Sequence, residues 1–159
     1  MTPLEFTTSR LHVSPVRVTP NLLSDLANWL SPAVTQYLPP DLVVAGPVDA
    51  GAWLARLMQG GLVHMIHKDQ KLIGFLTVHL QAADHMMIGY LFAQSTWGQG
   101  LASELLRGLI DQLAQTEWSG EILGGVDPNN PASAAVLRKA GFTKTHSDRP
   151  GTDFYALRL

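Results

Sequence analysis

The sequence predicts a single α/β domain built on a mixed, largely antiparallel sheet of seven strands. Three observations lead there. Residues 62–67, 71–80 and 86–93 are apolar-rich runs separated by short polar turns, the pattern of an antiparallel meander. Helical spacing then alternates with apolar runs around Phe92 and Ile122, which allows one parallel pair inside the sheet. The chain has 159 residues and 46% hydrophobic content, enough for one sizeable core.

Taken in order, residues 10–18 alternate apolar and polar side chains and read as the first strand, interrupted by Pro15. Thr19 or Asn21 can cap a helix whose Leu22, Leu23, Leu26 and Leu30 share one face. Ser31-Pro32 stops or restarts it, and Pro39-Pro40 cannot be helix interior. A second helix is expected over residues 48–58, ended by Gly60-Gly61. The meander follows. The central helix runs from Leu101 to about Gln115, with Leu101, Leu105, Leu109 and Leu113 as its buried stripe and Ser103, Glu104, Arg107 and Asp111 facing away. Residues 121–126 form a strand and residues 131–140 a helix with Pro131 at its first position and Asn130 as its cap. Residues 142–146 and 153–159 close the sheet.

Composition excludes several classes of function. The chain has no cysteine, which removes disulfides, thiolate metal sites and a Cys nucleophile. Its formal net charge is −2, with no basic run to meet nucleic acid. The six His do not form a metal-ligand spacing; His64 and His67 would point to opposite faces of a strand. No signal-peptide pattern and no membrane-length apolar run is seen, so a cytoplasmic location is expected.

Residues 88–113, IGYLFAQSTWGQGLASELLRGLIDQL, organise the rest. A strand leads through a short polar loop into Gly98, Gly100 and Ala102 at the mouth of the central helix. Without Cβ atoms in the way, backbone N–H groups approach a ligand closely. The first helical turn has N–H groups without intrahelical partners and carries the positive end of the macrodipole. Strand, glycine loop and helix start therefore make an anion site. The Gly-Lys-Ser/Thr of a P-loop is absent, and Ser103 stands where a dinucleotide fingerprint needs its third Gly.

The spacing Gly100-x-Ala102 after a strand resembles the pyrophosphate loop of the GCN5-related N-acetyltransferases, Gln/Arg-x-x-Gly-x-Gly/Ala, with Trp97 where Gln or Arg is usual. Asn130 to Phe142, NPASAAVLRKAGF, resembles the closing motif of the same family. The opening TTSRLHVSPV, with LLSDLANWL, QYLPP, Ile88-Gly89-Tyr90 and Trp97-Gly98-Gln99-Gly100, is similar to the branch that acetylates ribosomal-protein N-termini. That branch often has an acidic residue where Met87 stands.

The resemblance covers nearly the whole chain. It implies one N-acetyltransferase domain over residues 1–159, with about four helices on both faces of the sheet, and direct attack of a neutral amine on the acetyl-CoA thioester. No metal is implied. Gly98, Gln99, Gly100, Leu101, Ala102 and Ser103 would meet the pyrophosphate. Leu91 and Ala93 backbone groups would pair with the pantetheine arm, and an N–H near Phe92 would face the thioester oxygen. Asn130 would contact the cofactor, and Ser133 is the candidate acid for the leaving thiolate. His79, Asp84, His85 and Glu121 are the candidates for a base, while Glu104 is read as structural. The expected acceptor is a protein N-terminal α-amine or a small amine. A non-catalytic acyl-CoA-binding module is the alternative from another class, and a homodimer is left open.

Overall fold

A computed structural model describes residues 1–159. Its sheet has eight strands: β1 (Phe6–Thr7), β2 (His12–Pro15), β3 (Leu62–Lys68), β4 (Lys71–Ala82), β5 (His85–Phe92), β6 (Glu121–Val126), β7 (Thr143–Thr145) and β8 (Asp153–Arg158). Their spatial order is β1-β2-β3-β4-β5-β6-β8-β7. Every neighbouring pair is antiparallel except β5 and β6. The strand missed in the sequence is β1, two residues long and too short to show a period. The first expected strand is also trimmed, because Pro15 ends β2.

Five helices flank the sheet: α1 (Pro20–Trp29), the single turn α2 (Pro32–Thr35), α3 (Ala50–Gln59), α4 (Leu101–Ala114) and α5 (Pro131–Lys139). Each of α1, α2 and α3 starts where a side-chain oxygen caps it. Thr19 accepts the Leu22 N–H, Ser31 the Val34 N–H and Asp49 the Ala52 N–H. Leu26, Trp53 and Leu54 of α1 and α3 pack with Phe75 and Leu91 in one core cluster. Leu105, Leu106 and Leu109 of α4 and Leu137 of α5 pack with Ile88, Phe92 and Ile122 in the other. Helices thus cover both faces of the sheet.

The expectation that Ser103 and Glu104 face away from the core is corrected. Both are 9% exposed, whereas Arg107 and Asp111 are exposed as expected. The β1–β2 hairpin lies over this side of α4, and Gly108 makes room for it. A Cβ on Gly108 would stand 2.9 Å from the Phe6 ring. Mid-helix glycine costs about 1 kcal/mol against alanine, and here the notch it leaves is filled.

One buried histidine ties the N-terminal segment to the sheet. His64, with no exposed surface, accepts the Leu4 N–H on Nε2 at 3.0 Å. Its proton must then sit on Nδ1, which has no partner. Burial lowers its pKa from the ordinary 6.5, and the Leu76 backbone, which acts the other way, does not offset it. The native state therefore holds His64 neutral while the unfolded chain takes up its proton. The stabilisation is complete above pH 6.5 and is lost as pH falls from there toward the lowered native value. His64→Gln keeps an acceptor for Leu4 but cannot titrate. In urea unfolding at pH 7.0 and 5.5, the wild type should lose more stability than this variant, by up to about 1.4 kcal/mol per pH unit. Equal losses would show that His64 is not the titrating group.

Candidate active site

The site begins where β5 and β6 part. Their parallel register runs from His85↔Glu121 to Ile88↔Gly124 and stops there. β5 continues to Phe92 paired only with β4, and β6 continues to Val126 paired only with β8. Gly89 to Phe92 therefore carry a backbone edge without a strand partner, opening toward the C-terminal end of β5.

The direction of each peptide on that edge follows from one bond. The Ala93 N–H donates to the Ile73 carbonyl at 2.7 Å. Antiparallel ladders alternate, so the Leu91 backbone groups also turn toward β4, and those of Tyr90 and Phe92 turn toward the gap. This corrects the sequence reading: Leu91 and Ala93 spend their N–H groups inside the sheet. An added strand would meet Tyr90 and Phe92 instead. Their positions were one residue out because a one-residue shift reverses every peptide along a strand.

At the end of this edge Gln94–Thr96 makes a 3₁₀ turn into the glycine loop. Gly98 and Gly100 adopt left-handed backbone, with φ of 74° and 75°, which glycine reaches without strain. No atom stands within 4 Å of where a Gly98 Cβ would be. The first bond of α4 is Glu104 N–H to the Gly100 carbonyl, and no side chain caps the helix. The N–H groups of Leu101, Ala102 and Ser103 are thus left for a ligand, the arrangement that suits a pyrophosphate.

Trp97, 47% exposed, folds its indole back on the strand end and donates Nε1–H to the Phe92 carbonyl at 2.9 Å. It brings no charge to the loop. Arg10 does, from the N-terminal hairpin. Its guanidinium donates to the Gln99 carbonyl at 3.0 Å and pairs with Glu104 at 2.7 Å, while its backbone N–H reaches the same carboxylate at 2.8 Å. The Thr8 hydroxyl donates to Glu104 as well and accepts the Leu11 N–H. Burial pushes the Glu104 carboxyl up, but the Thr8 and Arg10 hydrogen bonds and the Arg10 charge outweigh it and hold the group below its usual value. Glu104 stays ionised in the first turn of α4, where the dipole also favours a negative charge.

Across the gap stands α5. The Asn130 side chain accepts the Ser133 N–H at 3.3 Å, so its capping role is real. The Ser133 hydroxyl lies 3.1 Å from the Tyr90 hydroxyl, which crosses to it from β5. Tyr90 is mostly buried against the core and its ring packs on Phe92, with centroids 6.5 Å apart. Burial raises the Tyr90 pKa, against a smaller opposing effect of the Ser133 bond.

The candidate bases do not gather here. His85 and Glu121 begin β5 and β6 at the closed end of the pair, seven residues or roughly 23 Å from Phe92. His85 hydrogen-bonds Asp84 at 2.7 Å and has Glu121 at 4.0 Å, an exposed cluster in the β4–β5 turn region. The His85 hydrogen bond, and then its charge, lower the Asp84 pKa. His79 is exposed opposite Met87. No group of three or more His, Asp or Glu could hold a metal ion, and no helix is long and apolar enough to cross a membrane.

Sequence reasoning passed over Arg10, Thr8 and Tyr90 as site residues. Arg10 and Thr8 lie 94 and 96 positions from Glu104, so no local pattern couples them. Tyr90 lay within a recognised tripeptide, but its partner is 43 positions away.

The acetyltransferase (GNAT) domain family matches residues 10–143, and the chain belongs to it. In structure the chain is similar to a GNAT-family acetyltransferase from Bacillus anthracis, with a TM-score of 0.79 at 16% identity, covering 98% of each chain. It is also similar to AAC(6')-Ib in complex with paromomycin and acetyl-CoA, with a TM-score of 0.74 at 18% identity, covering 94% of each. The ribosomal α-N-protein acetyltransferase RimL, in complex with coenzyme A, gives 0.69 at 20% identity, covering 96% of each. At these identities the likeness is one of fold. An uncharacterised Bacillus subtilis protein, YkkB, is 34% identical over 74 residues. That match spans 45% of this chain and 43% of YkkB, less than half the length of the relative.

The hairpin contact to Glu104 makes a test. Thr8→Val removes the hydroxyl that bridges Glu104 and Leu11 while keeping the side chain's shape. It should lower unfolding free energy by about 1–3 kcal/mol, the range for losing hydrogen bonds to a charged, partly buried group. Chemical denaturation measures it, and an unchanged midpoint would show that Arg10 alone secures the carboxylate.

Proposed function

We propose that the protein transfers acetyl from acetyl-CoA to a primary amine by direct attack on the thioester, with a protein or peptide α-amine as its acceptor. One observation supports this most: the open β5 edge, the left-handed Gly98 and Gly100, and the uncapped start of α4 form one continuous strip of backbone donors. The strip has the chemistry of the molecule it would hold. Leu101, Ala102 and Ser103 N–H groups, with Gly98, Gln99 and Gly100, would take the pyrophosphate. Tyr90 and Phe92 would pair with the amides of the arm, and the Phe92 N–H would serve as donor to the carbonyl oxygen as charge builds on it. The bound thioester supplies an activated acyl group.

Ser133 would hydrogen-bond the sulfur as it leaves. Asn130 holds the start of α5 in place for this and has no need to touch the cofactor to do so. The α-amine is favoured as acceptor because His79, Asp84, His85 and Glu121 are not drawn together at the gap. An α-amine, with a pKa of ~8, is already partly neutral, whereas a lysine at ~10.4 calls more strongly for a base.

Acetyl-CoA should raise the melting temperature, since a ligand bound only by the native state stabilises it. Gly100→Val puts a branched side chain at φ 75° and should abolish that rise while circular dichroism remains native. A retained shift would move the pyrophosphate elsewhere. With a panel of free-N-terminus peptides, N-blocked lysine peptides and polyamines, the free N-termini should turn over best. Cofactor binding without turnover of any amine would instead favour a non-catalytic acyl-CoA-binding module. On the best acceptor Ser133→Ala should lower kcat about 10²–10³-fold, the cost of losing one donor to developing charge, with little change in acetyl-CoA affinity; full kcat would remove Ser133 from the chemistry.

A further inference from the structure

We infer that Tyr90 is a positioning residue for this reaction: its hydroxyl donates to the Ser133 Oγ across the open end of the β5–β6 pair and so aims the Ser133 O–H at the leaving sulfur. The inference rests on the reading of Ser133 given above and adds a residue to it.

The direction of the bond decides the matter. Either hydroxyl could donate at 3.1 Å. Ser133 is the only hydrogen-bond partner the Tyr90 hydroxyl has. If Ser133 donated, the Tyr90 O–H would be left without an acceptor in the protein, which is unfavourable for a partly buried donor. If Tyr90 donates, its proton is satisfied. The free O–H is then that of Ser133, which is only half-buried at the mouth of the gap. Water satisfies it when the site is empty, and a ligand does so otherwise. The raised pKa of Tyr90 keeps it a donor throughout the neutral and mildly alkaline range.

Geometry fixes the aim from both sides. Tyr90 has little freedom, because its ring packs on Phe92 and its neighbours Gly89 and Leu91 are in register with Thr77 and Phe75 of β4 on either side of it. Ser133 is placed by the Asn130 cap one turn into α5. A serine hydroxyl on its own has three staggered wells and rotates freely about its C–O bond. Accepting from Tyr90 removes much of that freedom before the donor binds.

In the step concerned, the C–N bond forms and the C–S bond breaks, with its electron pair going to sulfur. Ser133 stabilises the thiolate by its hydrogen bond and keeps its own proton. The amine gives up its extra proton to solvent, and the thiolate takes one back. Tyr90 stays protonated throughout, so no proton has to leave a phenol of raised pKa.

The test compares Tyr90→Phe, Ser133→Ala and the double variant on the best amine acceptor, with melting temperatures as the control for folding. Tyr90→Phe removes one oxygen and keeps the ring. It should lower kcat about 10- to 100-fold, the cost of a loosened catalytic geometry, with KM for acetyl-CoA nearly unchanged. In the Ser133→Ala background the same change should alter kcat by no more than about two-fold, the scatter of independent effects. Full kcat in Tyr90→Phe beside a large loss in Ser133→Ala would overturn the role of Tyr90 and leave that of Ser133 standing. An equal loss from Tyr90→Phe in both backgrounds would also overturn it, since Tyr90 would then act without Ser133. Full kcat in Ser133→Ala, with the acetyl-CoA melting shift intact, would overturn the Ser133 reading and the Tyr90 inference with it.

Discussion

The candidate site depends on one constraint: β5 pairs with β4 along nearly its whole length and with β6 along only half. At the closed end the two strands are pinned. The Glu121 N–H donates to the Asp84 carbonyl at 2.8 Å, the Trp118 indole to Ala83 at 2.9 Å, and Gly120 lies so close to Asp84 that no Cβ would fit. At the open end the partners diverge because each has something else to hold. β6 leans on β8 through Val126↔Asp153, and β5 on β4 through Gly74↔Phe92. Beside this gap the Tyr90 hydroxyl reaches Ser133 in the first turn of α5. Buried peptide groups without partners are costly, so a gap like this persists only where water or a ligand can reach the freed edge.

Support for the glycine loop comes from the far end of the chain. The loop's own glycines give it freedom, which is the opposite of a fixed geometry. The β1–β2 hairpin supplies the restraint. Arg10 grips the Gln99 carbonyl and Glu104 together, Thr8 closes the other side of the carboxylate, and Gly108 lets the hairpin lie flat on α4. Because Glu104 receives three hydrogen bonds from the hairpin, its charge is balanced and the loop is held from behind. The buried His64–Leu4 bond ties the start of that hairpin segment back to the sheet.

Much of this was legible in the sequence, for stated reasons. The alternation of residues 62–93, the leucine stripe of α4 and the Asn130-Pro131 helix start are local signals, and β6 falls on the expected 121–126. Gly98 and Gly100 before an amphipathic helix are a local signal as well, and both take the left-handed backbone that favours glycine. What failed to show was long-range or a matter of parity. A two-residue strand has no period. The side of β5 that faces the gap turns on a single residue of register, which put Leu91 and Ala93 in place of Tyr90 and Phe92. Glu104 looked like solvent-facing charge because its partners, Thr8 and Arg10, sit in a different element. The base candidates were chosen by residue type near the central strands, and type carries no information about which end of a strand is open.

Trp97 shows how a departure from the family's pattern can be absorbed. At this position a Gln or Arg would offer polar donors toward the pyrophosphate, and a tryptophan offers one N–H. Here that N–H is spent on the Phe92 carbonyl. Left uncovered, this carbonyl would turn its negative end into the gap, beside the place where the proposed reaction builds charge on the thioester oxygen. Covering it removes an unfavourable dipole, and the Phe92 N–H then faces the gap as a donor without a competing acceptor from its own residue. Arg10 does not replace the charge absent at position 97: it is bonded to the neighbouring Gln99 carbonyl and neutralised by Glu104. The loop thus rests on two residues with different tasks: Trp97 cancels a negative dipole at the strand end, and Arg10, neutralised by Glu104, fixes the shape of the loop before the helix start.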